Sequence, residues 1–331
     1  MLALRVELSE EREMRFLATI VLSLMIFAGA SDAADKVSLS ISAVDVSFLT
    51  SGVALKRNFF RDENLDVEII RMNANVSITA LSTGDIDYTM VFSSVIRGAL
   101  RGLPMKVVAS FMDSSTHVLI ARPEYKSLKE LKGKTLAVST FGATSDVAAR
   151  MMFRQGGVDP EKELKIVFLG GERTRYTALK EGIVQVAVLS PPTDTEASRA
   201  GFVVLSRAYE QFKFPFTGLG LTLRKAKEKP DEAKRMIKAM LRANRFIRQN
   251  RDGTIQTIMD WIRVDRESAA ATYDSTWRIF NEDGNIPDAG LKLVVDQGRQ
   301  GMNIDRPVAN SEVADMTLLR EAQKELGIKA R

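Results

Sequence analysis

The sequence predicts an α/β protein of two Rossmann-like lobes joined by a two-segment hinge, with a helical C-terminal part. Three observations carry this. Thr79-Ala80-Leu81-x-x-Gly84-x-Ile86 returns 98 positions later as Thr177-Ala178-Leu179-x-x-Gly182-x-Val184. Each copy lies between two apolar strand-like runs, so a strand–helix–strand unit occurs twice, and two similar α/β lobes imply a cleft between them. Alternating strand and helix patterns fill residues 37–223, and from Pro230 onward the pattern is almost wholly helical. A length of 331 residues suits about two domains.

Taken in order, the first lobe reads as strands Val37–Val44, Leu65–Ile70, Ile86–Phe92 and Lys106–Met112. Between them fall helices over Gly52–Arg61, from an Asn73 cap to near Gly84, and over Val95–Leu100. A short helix Ser127–Leu131 then leads into a second series. Its strands are Thr135–Ser139, Leu164–Leu169, Val184–Leu189 and Phe202–Leu205, and its helices Asp146–Gln155, Arg173–Glu181 and Thr193–Ala200. Phe216–Leu223 reads as a strand returning to the first lobe. The C-terminal helices are expected over 231–250, 254–264, 267–281, 289–299 and 311–326. The lobes are therefore discontinuous: 35–116 with 217–331, and 117–216. The crossings near Asp113–Arg122 and Phe214–Gly218 form the hinge, with Asp113, His117, Pro215 and Gly218 as its marked residues.

The N-terminus reads as a secretory signal over residues 1–33. Phe16–Ala28 is a 13-residue apolar run after Arg15, too short to span a bilayer. Small residues at Ala28-Gly29-Ala30 and Ser31-Asp32-Ala33 suit a signal peptidase. Glu7, Glu10, Glu11 and Glu13 are foreign to the start of a signal, which points to Met14 as the true initiator. The sequence has no Cys and one His, so it offers no disulfide, thiolate nucleophile, Cys-ligated metal or lipid-bearing Cys, and no His-rich metal site. Without residues 1–33 the charge is 44 basic against 37 acidic, or +7, and it is scattered. No basic run with interleaved aromatics suggests nucleic acid. No cofactor, metal or catalytic group is expected.

Ligands of open α/β sheets bind at the carboxyl ends of strands. That rule nominates Val44 and Asp45, Asn73 and Asn75, and Phe92, Ser93 and Ser94 in the first lobe. In the second it nominates Thr140, Phe141, Gly142, Ala143, Thr144 and Ser145, then Gly170 with Gly171, and Ser190 with Pro191. The loop 140–145 ends in a helix whose first N–H groups are unpaired, and a second such helix end lies at Ser93-Ser94. Two facing helix ends can hold a sulfonate, nitrate or carboxylate, unless Ser145 merely caps its helix. Phe48, Phe92 and Phe141 can sandwich a planar ligand or belong to the core. Arg173 can meet a ligand acid or stand solvated beside Glu172.

Leu128-Lys129-Glu130-Leu131-Lys132-Gly133-Lys134-Thr135-Leu136-Ala137-Val138 resembles the segment opening the second lobe of periplasmic substrate-binding proteins of ABC importers. Within these it is similar to the taurine, alkanesulfonate, nitrate and thiamine-pyrimidine-precursor group. Ser139–Asp146, Gly156–Pro160 and Ala178–Gly182 leading to Ser190-Pro191-Pro192 support the likeness, which spans roughly residues 37–300. The resemblance implies the type II periplasmic binding-protein fold, closure on a small ligand, and delivery to an inner-membrane ABC permease. It places ligand loops at Val44-Asp45, Asn73–Asn75, Ser93, Thr140–Ser145 and Ser190-Pro191, while the signal segment and the lack of Cys lead to the expectation of a periplasmic protein without lipid anchor, working as a monomer. Pyrimidine-synthesising relatives use a His and a Cys-rich motif, and this chain lacks Cys. An exported enzyme or an extracellular ligand sensor on the same scaffold is the alternative.

Overall fold

The computed structural model describes residues 33–329. Apart from Ala33, the expected signal segment and the alternative start at Met14 lie outside the described residues. The fold belongs to the unit that begins at Asp35.

Among the described residues, ten strands form two five-stranded sheets. The first is ordered β2-β1-β3-β10-β4, from Leu65–Arg71, Asp35–Ile41, Tyr88–Thr89, Gly218–Thr222 and Met105–Ser110. The second is ordered β7-β6-β8-β5-β9, from Lys165–Phe168, Thr135–Val138, Val186–Leu189, Val118–Ala121 and Val203–Arg207. The two orders correspond strand for strand. In each sheet the fourth position is taken by an antiparallel strand that follows a crossing between the sheets. The repeat seen in the sequence is thus a repeat of topology.

Helices of seven or more residues are numbered here in chain order. In the first half they are α1 Leu49–Lys56, α2 Ala74–Thr83, α3 Phe92–Leu100, α4 Thr144–Gln155, α5 Glu172–Lys180 and α6 Thr193–Arg199. The C-terminal set is α7 Pro230–Gln249, α8 Arg251–Ile262, α9 Arg266–Thr276, α10 Asp288–Gln300 and α11 Thr317–Glu325. Asn73 caps α2 through its side chain and Gly84 ends it at φ 88°, a conformation glycine tolerates. The C-terminal helices pack back on the first sheet's helices. Lys238 and Arg242 of α7 meet Glu63 at 2.9 and 3.0 Å, and fully buried Asn244 donates to the carbonyls of Phe111 (2.8 Å) and Asn281 (2.6 Å).

Several boundaries differ from the sequence reading. The strand expected over Ile86–Phe92 shrinks to Tyr88–Thr89, because Phe92 is fully buried and already opens α3. Val44 lies past the end of β1 and is 38% exposed. The helix expected over Gly52–Arg61 breaks at Asn58, which is left-handed at φ 61°. Residues 311–326 divide into a short turn of helix and α11. Val118–Ala121, read as part of a crossing, is a fully buried strand bonded on both edges.

The remaining crossing residues run side by side. The Phe111 N–H donates to Thr217 O (2.7 Å), Phe216 to Met112 O (3.1 Å) and Phe214 to Asp113 O (3.0 Å). Asp113 Oδ1 also accepts from Asn281 Nδ2 at 2.8 Å. Pro215 packs on Gly290, where a Cβ would stand 2.7 Å from the proline ring. Gly218 has no room for a side chain: a Cβ there would lie 2.1 Å from Ala109 O.

Candidate ligand-binding cavity

A cavity of about 310 Å³ opens where the carboxyl ends of β1 and β2 face those of β6 and β7. The β1 loop brings Asp45, Ser47 and Phe48, and the β2 end brings Asn73. From the other sheet come Thr140, Ala143, Thr144 and Ser145 after β6, and Gly170, Glu172 and Arg175 after β7. His117, the last residue of the outgoing crossing, also lines it. Asn73 Nδ2 donates to Thr140 Oγ1 at 3.1 Å, a direct tie between residues of the two sheets' loops. A hydroxyl relay runs from Ser47 through Thr116 (2.7 Å) to Ser190 (3.4 Å), whose Oγ lies 3.3 Å from His117 Nδ1.

The polar wall carries two acids, Asp45 and Glu172, and two arginines, Arg71 and Arg175. Asp45 caps its own turn, accepting from the Ser47 N–H at 2.8 Å. Arg175 is 5% exposed and donates through Nε to Val188 O (2.8 Å) and through Nη1 to Gly170 O. Its Nη2 stands 3.9 Å from Glu172 Oε1, which is buried and accepts no hydrogen bond. Burial, with Asp45 adding repulsion, pushes the Glu172 carboxyl up to about 8. Burial also raises Asp45 and holds His117 down to about 3, with Arg175 adding to the latter effect. At neutral pH His117 is therefore an uncharged imidazole.

Of the residues nominated from sequence, the structure gathers Asp45, Phe48, Asn73, Thr140, Ala143, Thr144, Ser145, Gly170 and Gly171 around this cavity. It does not bring the others to it. Arg173 points outward to an ion pair with Glu196. It lies one residue after the α5 start at Glu172, so the helix turns it away while Arg175 on the inner face enters the wall. Phe92 is fully buried core against β10, Ser190 is spent on the relay behind the cavity, and Pro191 is buried beside it. Ser93, Phe141 and Gly142 instead border a wider space of about 710 Å³ between α3, α4 and α10, while Asn75 and Ser94 border a separate groove. In the wider space Arg97 lies 4.5 Å over the Phe141 ring and Arg150 lies 5.8 Å from it. Its polar wall is mostly self-paired, Arg150 with Asp146 and Glu161, so the convergence of strand ends favours the smaller cavity.

Sequence reasoning missed Glu172 and Arg175. The available signal was helical spacing: Glu172, Arg175, Tyr176 and Leu179 share one face. The loop 140–145 also differs from the expected anion cradle. Its Gly142 N–H donates at 2.7 Å to Asp146, and Ser145 Oγ bonds Ser139 Oγ at 2.6 Å, so part of the expected donor set is already used.

Two five-stranded mixed sheets with a cavity at their facing strand ends define a two-lobed α/β binding-protein fold. The family model NMT1/THI5 like matches residues 47–253, and the chain belongs to that family. Solved structures agree on the fold. A protein of Bordetella bronchiseptica RB50 is 18% identical at TM-score 0.75, covering 88% of this chain and 98% of its own. The nitrate-binding protein NrtA of Synechocystis PCC 6803 is 15% identical at TM-score 0.73, covering 89% of each chain. The alkanesulfonate-binding protein SsuA of Xanthomonas axonopodis pv. citri, bound to MOPS, is 13% identical at TM-score 0.70, covering 89% of this chain and 99% of its own. No curated protein matches the chain in sequence.

Proposed function

We propose that this chain is the solute-binding component of an ABC importer. It captures a small organic molecule in the 310 Å³ cavity and delivers it unchanged to an inner-membrane permease. The observation that carries the reading is the convergence of loops from both sheets on one polar cavity, with two bonded crossing segments beside it. Lobe one comprises 35–116 and 217–331, lobe two 117–216, and the crossings with Asp113, Pro215 and Gly218 bend between them. Asp45, Phe48, Asn73, Thr140, Thr144, Ser145 and Gly170 contact the ligand. The protein works as a periplasmic monomer after removal of its signal segment. The sulfonate- and nitrate-binding neighbours support a transported solute.

The energetics allow closure by ligand. Driving a lobe equilibrium from about 1:99 to 99:1 takes roughly 5.5 kcal/mol of differential affinity. Micromolar binding supplies about 8 kcal/mol in total. Small-angle scattering of the mature protein with a saturating ligand should show a smaller radius of gyration, and mass spectrometry should recover the ligand intact. Unchanged dimensions at saturation, or a converted ligand, would refute the proposal.

A further inference from the structure

The wider space between α3, α4 and α10 holds one cation that its acids leave unanswered. α3 packs on β4 of the first sheet and α10 packs on α3, while α4 packs on β5 and β6 of the second. The space between them measures about 710 Å³, within the range of small-molecule sites. Four cations and three acids line it. Arg150 pairs with Asp146 (2.8 Å) and Glu161 (3.1 Å), Arg154 with Glu161, and Lys162 with Asp159 (3.6 Å). The fourth cation is Arg97, which forms no ion pair or side-chain hydrogen bond among the described residues. Asp146 attracts it, but both Asp146 oxygens are taken, Oδ1 by Arg150 Nε (2.8 Å) and Oδ2 by the Gly142 N–H (2.7 Å). Half-buried Arg97 is held by stacking instead. Its guanidinium lies 4.5 Å over the Phe141 ring and against Gly142, where an added Cβ would fall 1.1 Å from Nη1. Stacking engages the flat face of a guanidinium and leaves its rim of N–H donors for an acceptor. A second polar group in the same wall is idle. Ser93 stands four residues before Arg97 on the same face of α3, is 1% exposed, and its Oγ has no partner. Buried hydroxyls are ordinarily bonded, so an idle one facing a cavity marks room for a ligand atom. Phe141, Val147, Val158 and Val294 make much of the remaining wall apolar.

We propose that this space is a second ligand site, which takes an organic monocarboxylate with a flat apolar body. The carboxylate lies on the N–H rim of Arg97 with Ser93 Oγ donating to it, and the body lies against Phe141 and Val294. A guanidinium fork matches a carboxylate bidentately, and a single surplus cation suits a single negative charge. The occupant touches elements of both sheets, α3 and α10 on one side and the β6 loop and α4 on the other. The inference concerns a different space from the smaller cavity and does not depend on the transport reading.

The test uses the mature protein and three probes at up to low millimolar concentration. Indole-3-acetate has both parts, indole-3-acetamide lacks the charge, and acetate lacks the apolar body. Isothermal titration should show indole-3-acetate binding about tenfold or more tightly than either of the others. Arg97→Met should weaken it by about tenfold or more, and Arg97→Lys, which keeps the charge without the fork, should restore only part of the loss. Gln297→Trp fills the space from α10 with Arg97 intact, and should weaken the acid likewise. It covers the case of an Arg97 variant that fails to fold. Arg71→Ala changes the smaller cavity and should leave the affinity within about twofold, as expected of an independent site. No binding of indole-3-acetate, equal binding of its amide, or no effect of Arg97→Met and Gln297→Trp overturns the inference. A loss on Arg71→Ala as large as that on Arg97→Met or Gln297→Trp also overturns it, since the acid then occupies the smaller cavity. The transport reading survives each of these results, because it stands on the smaller cavity and on closure around that cavity's own ligand.

Discussion

Glu172 gives the sharpest expectation at the scale of a single residue. Its folded-state proton affinity lies above the ordinary carboxyl value of 4.5, at about 8, because burial and Asp45 disfavour its charge. The folded protein therefore holds a proton that the unfolded chain has lost across that window. The stability tied to this group is complete below pH 4.5 and drains as pH rises to about 8, at roughly 1.4 kcal/mol per pH unit. His117 acts in the opposite sense and lower down. It is held neutral to about pH 3, so its contribution is complete above the ordinary 6.5 and lost as pH falls below it. Between pH 6.5 and 8 the two effects separate. Denaturant unfolding of Glu172→Gln should gain about 2 kcal/mol on the parent chain across that interval. A constant difference would show that the carboxyl is already ionised. Only its helical spacing with Arg175, Tyr176 and Leu179 announced this residue in the sequence. Arg173 and Glu172 are adjacent letters, and only the start of α5 decides which of its charged side chains turns inward.

At the scale of elements, the alternation of strand and helix patterns made both sheets legible, since each apolar run is bounded by a polar loop. What stayed hidden was β5. Val118–Ala121 follows three hydroxyl residues and one His, and four apolar letters after a polar run read as passage rather than strand. Its counterpart β10 was legible because it is longer and glycine-marked. Those glycines carry a cost if changed. Gly218→Ala sets a methyl 2.1 Å from Ala109 O, and should lower stability by at least about 1–3 kcal/mol in urea titration. Asn244 makes a parallel case for α7, whose apolar face was clear but whose one buried amide was not. It accepts from Thr50 Oγ1 at 2.7 Å and donates to two carbonyls beside the crossing. Asn244→Leu strands these partners and should cost about 1–3 kcal/mol per buried group left unpaired, read from the unfolding midpoint. A change within 0.5 kcal/mol would mean that water replaces the amide.

For the whole molecule, the contacts between loops of different sheets include a small apolar cluster of Ala74, Val91 and Ala143 and one exposed aromatic contact. Phe141, 41% exposed on the β6 loop, lies against Arg97 of α3. Such a contact is worth about 0.5–1 kcal/mol, enough to change a two-state ratio by about two- to fivefold. Phe141→Ala should therefore shift ligand-free protein towards larger interlobe distances, measured by energy transfer between labels on α2 and α4, with little change in unfolding free energy. An identical distance distribution would show that the stack contributes nothing to closure. A different consequence follows from the strand orders. The second sheet is completed by the continuous stretch from Val118 to Arg207, whereas the first lacks its fourth strand until Gly218–Thr222 has been added. As the polypeptide is threaded out amino end first, the later-encoded half can finish its own architecture while the earlier-encoded half still waits, so the part made first is the part that matures last.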